Sequence, residues 1–499
     1  MNYTTVKNNE RIQLSAIPVL EYELFWELNV LSLMSEEHNH CVNYFGFPYE
    51  GKIKLICCIA NDEAHNIYVS SSVVNAYTHY PSFSSHILAF EKFEREIHEN
   101  FGVQYNNHPW LKPVRYAKNR ANQDETIANY PFYSIASEEL HEVGVGPIHA
   151  GIIEPGHFRF ICNGEQILHL EIQLGYQHRG VEQLFLKKEN LLQRTILAES
   201  IAGDTVVGHT TAFVNLWETL CGFEADRHLQ FSRTLALELE RVAVHTGDLS
   251  AMCTDIAYQL GSSVFGRLRT PIINYFQQWC GNRLAKSLIR AGKTNFFYTE
   301  ELAQTLVKIL DAYEPDFLEM CKELFRLPSA LSRFEKTGVI TQDDAKKLGT
   351  VGMAARMSGI NRDIRASHPY NLYREIQHEP IIKHHGDVYS RAQIRKEEII
   401  QSIANIRELL KNIPDYKPAT APLSSPTANT FALSLVEGWR GEICHCAITD
   451  EQGALQHYKV KDPSFHNWLA LGLAVRNNEI SDFPISNKSF DFSYCGHDL

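Results

Sequence analysis

The pattern of hydrophobic and polar positions divides the chain into a strand-rich beginning and a long helical middle. Lys52–Ala60 and Ile67–Val74 are rich in β-branched residues and predict strands. Between Ile87 and Phe101, apolar residues recur every three or four positions, which predicts a helix with one buried face. The charged residues of that helix are expected on its solvent side: Glu94, Arg95 and Glu99.

Further along the chain the pattern becomes helical and then returns to strands. Residues 116–140 show little periodicity and predict a linker. Helical periodicity runs from about Leu184 to Leu327 and again from Tyr389 to Leu410, and Pro414–Asn429 is rich in Pro, Ser and Thr, which predicts a loop. Two strands are predicted near the C-terminus: Phe431–Val436 and Glu442–Ile448.

Composition and charge narrow the class of protein. The chain has 499 residues, enough for several domains, and a formal net charge of −12 without a long Lys/Arg run, so a nucleic-acid partner is not expected. The sequence has no run of 18 apolar residues and no N-terminal export signal, which favours a cytoplasmic protein. Its 11 cysteines include no C-x-x-C pair, which indicates reduced thiols rather than a disulfide framework.

Cys444-His445-Cys446 is a short cysteine–histidine cluster that raises the question of a metal. In a strand, successive side chains point to opposite faces, so Cys444 and Cys446 would share one face and His445 would occupy the other. The strand interpretation is therefore favoured over a metal site.

Several self-contained enzyme motifs are incomplete in this sequence. Gly292-Lys293-Thr294 lacks the upstream glycine of a phosphate-binding loop, because Ser287 stands there, and Gly144-x-Gly146 lacks the third glycine of a dinucleotide fingerprint. His141-Glu142 and His378-Glu379 lack the second histidine of a zinc-protease helix. The sequence also contains no G-x-S-x-G nucleophile elbow.

Polar residues that solvent exposure explains poorly are concentrated in four segments. Each combines Gly or Pro turns with His, Arg, Asp or Glu: Gly146–Phe160, Glu171–Phe185, Ala198–Phe213 and Val351–Tyr370. Turn chemistry with surface charge is the alternative explanation for any single segment. Their accumulation favours a shared polar site.

Helical spacing suggests how two of these regions could meet. If residues 199–209 are helical, one face carries Glu199, Ala202, Thr205 and His209. In the downstream helix, Glu238, Arg241 and His245 share a face. Buried charges need partners, so an acid–arginine–histidine network is expected, either as part of a site or as a structural ion-pair network.

These segments resemble the large subunit of membrane-bound, energy-converting nickel–iron hydrogenases, a family related to the 49-kDa quinone-site subunit of respiratory complex I. The matching stretches are "GPIHAGIIEPGHFRF", "LGYQHRGVEQLF", "LALELERVAVHTGDL" and "VGMAARMSGINRDIRASHPY". "SFSSHILAFEKFEREIHENFGVQYNNHPWLKPVRY" is similar to the 30-kDa subunit of complex I, which is fused ahead of the large subunit in some members.

The resemblance implies an α+β protein in two domains. Residues 1–115 would form a small α/β sandwich-like 30-kDa domain, 116–140 a linker, and 141–499 a mainly helical hydrogenase-type domain with peripheral strands. It also implies docking against a small iron–sulfur subunit and attachment to the subunits of a membrane arm, on the cytoplasmic face of the membrane.

The resemblance also shows what this sequence lacks. Nickel–iron hydrogenases carry two cysteine pairs, and soft thiolates suit those metals. The matching positions here are Ala202, Thr205, Ser493 and Gly496. Cys495 is offset by one position and does not restore the ligand set, so no metal ligand and no directly bound nickel–iron centre are predicted.

In complex I, the corresponding emptied site binds a quinone headgroup with a histidine and a tyrosine. This sequence has His149 and His157 in the first motif but no tyrosine between Gln177 and Ala212. The analogy is therefore incomplete, although a quinone remains a candidate ligand.

We expect a peripheral electron-transfer subunit of a complex I-like assembly, related to NADH–quinone oxidoreductase and hydrogenase, that receives electrons from the partner's iron–sulfur cluster and couples them to ion pumping. Histidines suit proton delivery and arginines suit an anionic group. The candidate catalytic residues are His149, His157, Asp204, His209 and His497. The candidate substrate-binding residues are Arg159, His178, Arg179, Arg356, Asp363 and Arg365.

Two other hypotheses remain. A non-catalytic scaffold subunit would fill the polar site with its own side chains, whereas an enzyme would keep a concave pocket with convergent polar groups. An active hydrogenase is disfavoured by the missing thiolates. We also expect the C-terminal "SYCGHDL" to lie beside "SIAGDTVVGH", with Arg356 or Arg365 joining the pocket.

Overall fold

The computed structural model describes residues 2–149, 151, 153–415 and 423–499, and these form the mixed α+β fold that the sequence predicts. The strands are β1 Thr4–Val6, β2 Arg11–Gln13, β3 Val19–Leu20, β4 Asn39–Tyr49, β5 Lys52–Asn61, β6 Asn66–Val74, β7 His79–Pro81, β8 Gln104–Asn106, β9 His141–Val145, β10 His157–Asn163, β11 Gln166–Gln173, β12 Thr430–Glu437, β13 Glu442–Thr449 and β14 Leu455–Lys461.

Helices dominate the region after residue 180. They are preceded by α1 and α2 in the N-terminal part, and the full set is α1 Tyr22–Ser35, α2 Glu91–Phe101, α3 Val181–Lys187, α4 Leu191–Ala198, α5 Val206–Cys221, α6 Arg227–Asp255, α7 Gln259–Cys280, α8 Glu300–Leu324, α9 Pro328–Phe334, α10 Gln342–Leu348, α11 Met353–Arg356, α12 Ile364–Ser367, α13 Val388–Leu410, α14 Pro463–Ala474, α15 Phe483–Phe490 and α16 Tyr494–Asp498.

The strands form small, mostly antiparallel sheets. The N-terminal sheet has the order β1-β6-β5-β4, with β3 parallel to β6, and a second sheet has the order β11-β10-β9. A third sheet has the order β14-β13-β12-β2, with Ile12 of β2 opposite Phe431 of β12. The N-terminal strand β2 therefore belongs to a sheet built mainly from the C-terminal part of the chain.

The strand predictions and the late helix are confirmed to within about one residue at each end. β5, β6, β12, β13 and α13 coincide with the predicted segments. Both β12 and β13 are buried along their whole length. Of the predicted Pro414–Asn429 loop, residues 416–422 lie outside the described residues.

The prediction that the charged residues of α2 face solvent is wrong. Glu94, Arg95 and Glu99 are buried, because the helix is covered by the segment that follows it as well as by the N-terminal sheet. Glu94 accepts hydrogen bonds from the backbone N–H groups of residues 83 and 84, and Glu99 accepts from those of residues 114, 115 and 117. The carboxylates thus cap backbone donors that would otherwise be buried without partners.

The condition that residues 199–209 are helical, under which Glu199 and His209 would share a face, is not met. α4 ends at Ala198 and α5 begins at Val206, with a turn through Gly203 between them. The turn sends Glu199 to a buried ion pair with Arg290, with an N–O distance of 2.6 Å, away from His209. The break matters because it exposes the first backbone N–H groups of α5 to polar partners.

α6, with 29 residues, is the longest helix among the described residues. Asp226 caps it by accepting a hydrogen bond from the backbone N–H of Leu229 at 2.8 Å, and its apolar face packs against α5, α7 and α13. The predicted sharing of one face by Glu238, Arg241 and His245 is confirmed, since all three reach buried charged partners. Among the described residues, the structure has no helix that is long and apolar enough to cross a membrane.

Candidate functional site

The C-terminal helix α16 lies beside the turn between α4 and α5, as the sequence predicts. Arg179 joins them: its guanidinium donates to the backbone oxygens of Ser200 at 2.6 Å, Ile201 at 2.9 Å and Cys495 at 3.1 Å. Almost 300 residues separate the two segments, so this contact depends on the fold of the whole domain.

Arg440 makes a second bridge between the same two segments. Its guanidinium binds both carboxylate oxygens of Asp204, at 2.6 and 2.7 Å, and also donates to the Thr205 hydroxyl at 3.1 Å. On the C-terminal side, it donates to the backbone oxygen of Asp491. The Arg440 side chain is only 5% exposed, and its face lies 3.9 Å from the Trp439 ring centroid, so the guanidinium is held in one orientation.

His209 anchors a buried chain of hydrogen bonds beneath this bridge. Its Nε2 atom lies 2.9 Å from Asp462 Oδ2, and its Nδ1 atom lies 3.1 Å from His445 Nε2. The Nδ1 atom of His445 lies 2.7 Å from the Tyr458 hydroxyl. A consistent arrangement has Tyr458 donating to His445, His445 donating to His209, and His209 donating to Asp462.

The charges in this chain follow from burial and from its partners. Burial raises the pKa of Asp462, but the hydrogen bond from His209 together with the charge of Arg440 outweighs it and holds that pKa below its usual value. Burial, assisted by His209, holds the pKa of His445 well below its usual value, so His445 is neutral at pH 7. Asp462 is therefore the anionic end and His445 the neutral middle of the chain.

The strand interpretation of Cys444-His445-Cys446 is confirmed. Asn43 Nδ2 lies 3.6 Å from Cys444 Sγ and 3.7 Å from Cys446 Sγ, on the face towards the N-terminal sheet. His445 points the opposite way, to His209.

The positions that match the four hydrogenase cysteines do not fit a nickel–iron centre. Ala202 has no donor atom, Thr205 is bound by Arg440, and the Ser493 hydroxyl accepts the backbone N–H of Gly496 at 2.9 Å. A Cβ atom built on Gly496 would lie 2.6 Å from Asp462 Cγ, so a cysteine there would collide with the carboxylate.

The nearby Cys495 does not supply the missing thiolate. Burial, with Glu154 adding to it, raises the pKa of the Cys495 thiol to about 12, so the sulfur is protonated at pH 7. Across residues 2–149, 151, 153–415 and 423–499, no group of three or more His, Cys, Asp or Glu side chains is arranged to hold a metal ion.

Arg356, Asp363 and Arg365 form a separate buried cluster around Glu398 of α13. Glu398 forms ion pairs with Arg356 and Arg365, at N–O distances of 2.5 and 3.2 Å, and Arg365 also pairs with Asp363 at 2.7 Å. The predicted face of α6 completes the cluster, since His245 lies 2.7 Å and Arg241 3.3 Å from Glu398.

The prediction that Arg356 or Arg365 joins the C-terminal pocket is therefore wrong. Their guanidinium groups are already bound by carboxylates within the Glu398 cluster, and Arg179 and Arg440 bridge the two segments instead. His497 does not join the pocket either. Its backbone oxygen accepts from Arg115 at 2.8 Å, and its ring packs on Phe465, towards the N-terminal domain.

The remaining predicted residues lie around the β9–β10 sheet and the start of α3. His149 Nε2 lies 2.8 Å from the backbone oxygen of Gly156, His157 Nδ1 lies 3.1 Å from that of Gly146, and Arg159 pairs with Glu142 at 2.8 Å. His178 Nδ1 lies 2.7 Å from the backbone oxygen of Asp498. These contacts hold loops and do not reach His209 or Asp204.

Burial raises the pKa values of three carboxyls beside these clusters into the neutral range or above it. Burial raises the pKa of Glu240 to about 8, with Asp204 adding to the effect, although the carboxyl accepts the backbone N–H groups of Val207 and Gly208 at the start of α5. Burial raises the pKa values of Asp248 and Glu437 to about 7. Proton-holding groups therefore adjoin both the Arg440 bridge and the Glu398 cluster.

These raised pKa values predict a loss of stability with rising pH. The folded state holds a proton on Glu240 up to about pH 8, whereas a carboxyl in the unfolded chain loses it near pH 4.3. The stabilising contribution of this proton is fully present below the pKa of the unfolded chain. It is lost as the pH rises through the pKa of the folded state. In Glu240→Gln, the decline in the free energy of unfolding between pH 5 and 8 should be shallower than in the wild type, as measured by urea unfolding. An equal slope in both proteins would contradict this assignment.

Sequence reasoning missed the groups that complete both clusters. Each of these groups binds a partner that is far away along the chain: Arg440, His445, Asp462 and Glu398. The strand period placed His445 opposite the cysteines, and Asp462 before Pro463 has the pattern of a helix N-cap, which it is. Neither pattern identifies a partner.

The sequence of this chain is similar to those of known proteins. The family model of the 49-kDa subunit of respiratory-chain NADH dehydrogenase matches residues 260–430, and that of the 30-kDa subunit matches residues 26–130. Hydrogenase-4 component G of Escherichia coli is 27% identical, over 92% of this chain and 80% of that protein. The fused C/D protein of NADH-quinone oxidoreductase from Phocaeicola vulgatus is 28% identical, over 86% of this chain and 88% of that protein. The alpha subunit of the membrane-bound hydrogenase of Pyrococcus furiosus is 26% identical, over 70% of this chain and 85% of that protein.

Proposed function

Since the chain joins a 30-kDa-type and a 49-kDa-type segment of the complex I and membrane-bound hydrogenase family, we propose that it is a peripheral electron-transfer subunit of a membrane-bound, complex I-like oxidoreductase. It docks on the cytoplasmic side against a small iron–sulfur subunit and takes electrons from that partner's cluster. The membrane arm of the same assembly supplies the ion pathway. The match to both segments in one chain supports this proposal.

The proposed subunit works without a nickel–iron centre. This part of the proposal rests on one observation: polar groups of the chain itself bind or crowd the positions that match the hydrogenase cysteines. Thr205 is bound by Arg440, and Gly496 lies against Asp462, which is bound by His209. No step of the proposed function depends on metal held by this chain.

The His209 chain is suited to holding and moving a proton. Asp462, His209, His445 and Tyr458 are linked by hydrogen bonds of 2.7 to 3.1 Å in a buried setting, and the links among His209, His445 and Tyr458 can reverse their donors. A quinone is the candidate electron acceptor that the family resemblance suggests, and a histidine held by a carboxylate is a suitable hydrogen-bonding partner for its oxygen.

A scaffold role is the second candidate, and one observation favours it. The Glu398 cluster satisfies its charges internally, and the former metal frame is occupied by side chains. Electron transfer through an assembled complex that carries His209→Phe separates the two: unchanged turnover indicates a scaffold, and lost turnover indicates the electron-transfer role.

Membrane attachment through partners gives the test of the subunit assignment. In cells lacking the membrane-arm subunits, the chain should move from the membrane pellet to the supernatant, as followed by immunoblotting. Restoring those subunits should return it to the pellet, which controls for loss of expression. Tight membrane binding by the chain on its own would overturn the proposal.

A further inference from the structure

A cavity of about 700 Å³ lies between the N-terminal domain and the large domain, apart from the His209 chain. Its volume falls within the range of small-molecule binding sites. α2 and the segment after residue 108 form one wall, and β11, α14 and His497 form the other.

The walls of this cavity are largely apolar. Two tryptophans and several leucines line it, among them Trp110, Leu111, Leu174, Trp468 and Leu473. Such a surface favours an apolar ligand body, since burying it removes apolar area from water.

One lysine on the wall lacks a hydrogen-bond partner within the part of the chain that the structure describes. Burial lowers the pKa of Lys92 to about 7, although the charge of Glu91 opposes the shift, so an anion bound nearby would favour its charged form. Arg95 pairs with Glu91, and Lys112 pairs with Glu171 at 2.5 Å, so these four neutralise one another. Lys92 also lines the cavity, and its Nζ atom is buried without a hydrogen-bond partner among the described residues. A buried amino group without a partner is costly, and an acceptor in the cavity would relieve that cost.

His497 supplies a second group without a partner on the same wall. The residue is 2% exposed, its Nδ1 atom lies 2.8 Å from Asp498 Oδ1, and its Nε2 atom has no partner among the described residues. Burial and then Lys92 hold the pKa of His497 well below its usual value, so the ring is neutral. Since its Nδ1–H donates to Asp498, the free Nε2 atom is a hydrogen-bond acceptor.

We propose that this cavity binds a small amphipathic monoanion, with its apolar body against Trp110 and Trp468 and its anionic head at Lys92. A carboxylate is the simplest head of this kind, because it accepts the hydrogen bonds that Lys92 donates. The site joins the two domains, so an occupant stabilises their contact. This proposal goes beyond the subunit role and does not depend on it.

Titration calorimetry of the full chain with decanoate tests the proposal. Decanol and decyltrimethylammonium serve as neutral and cationic probes with the same tail. Decanoate should bind at one site and more tightly than either control. Equal binding of the three probes, or binding of none, would overturn the assignment of an anion-selective site.

Two variants locate the site. Lys92→Met keeps the length of the side chain and should weaken decanoate binding about tenfold, the effect expected when a charge-assisted hydrogen bond is lost. Leu473→Trp fills the cavity and should weaken it at least as much. Lys118→Met, at an exposed lysine outside the cavity, should leave affinity unchanged.

Retained decanoate affinity in both cavity variants would contradict the location. A circular dichroism spectrum and a thermal melt of each variant confirm that it is folded. If the assembled complex loses the decanoate site, a segment of a partner protein occupies the cavity, and the small-molecule proposal fails.

Discussion

Glu398→Gln should cost about 3–5 kcal/mol of the free energy of unfolding, because it leaves buried arginines without their shared carboxylate. Glu398 is completely buried and receives Arg356, Arg365, Arg241 and His245. Glutamine keeps the shape but removes the negative charge that balances the guanidinium groups. Urea unfolding, followed by tryptophan fluorescence, gives the difference.

The neighbouring residue provides a matched control. Glu397 is on the same helix and pairs with Lys383 at 2.6 Å, but both side chains are about one-third exposed. Glu397→Gln should therefore change the free energy of unfolding by at most about 1 kcal/mol. A loss below about 1 kcal/mol for Glu398→Gln would mean that Glu398 is not the hub of a buried charge cluster.

Arg440→Met should loosen the C-terminal segment from the turn between α4 and α5. The guanidinium holds Asp204 through two oxygens and the backbone of Asp491 through another hydrogen bond. Asp204 is 40% exposed and can be hydrated after the change, so we expect a loss of about 2 kcal/mol rather than the full cost of a buried pair. Faster hydrogen–deuterium exchange in residues 491–498 is the specific readout.

An exposed arginine of similar geometry controls for the loss of charge. Arg227 binds both oxygens of Glu375 at 2.7 and 2.8 Å, but both side chains are more than half exposed. Arg227→Met should leave exchange in residues 491–498 unchanged. Unchanged exchange in Arg440→Met as well would show that Arg179 and packing alone hold the segment.

The parts of the fold with strong local signals could be predicted from the sequence. β5 and β6 follow stretches rich in β-branched residues, β12 and β13 follow largely apolar stretches, and α13 follows a long helical period, so local propensity and tertiary packing agree there. The position of α2 is also predicted correctly, but the burial of Glu94 and Glu99 depends on backbone donors from neighbouring segments. Helical periodicity does not show whether other segments cover the polar face of a helix.

The candidate site could be predicted only in part for a similar reason. Family motifs draw attention to Arg179, Asp204 and His209, which lie at or near the contact between the C-terminus and the α4–α5 turn. Arg440 and Asp462 come from the third sheet and the loop after it, and their role depends on where that sheet packs. The sequence alone does not show how this sheet packs, so it could not assign Arg356 and Arg365 to a different cluster.

The most direct test of the central claim is metal analysis of the chain purified with its partner subunits from nickel-fed cells. The claim is that the family architecture persists while Ala202, Thr205, Ser493 and Gly496 leave no thiolate site for nickel and iron. Inductively coupled plasma mass spectrometry should find iron from the partner's clusters and no stoichiometric nickel. One nickel per chain would contradict the account.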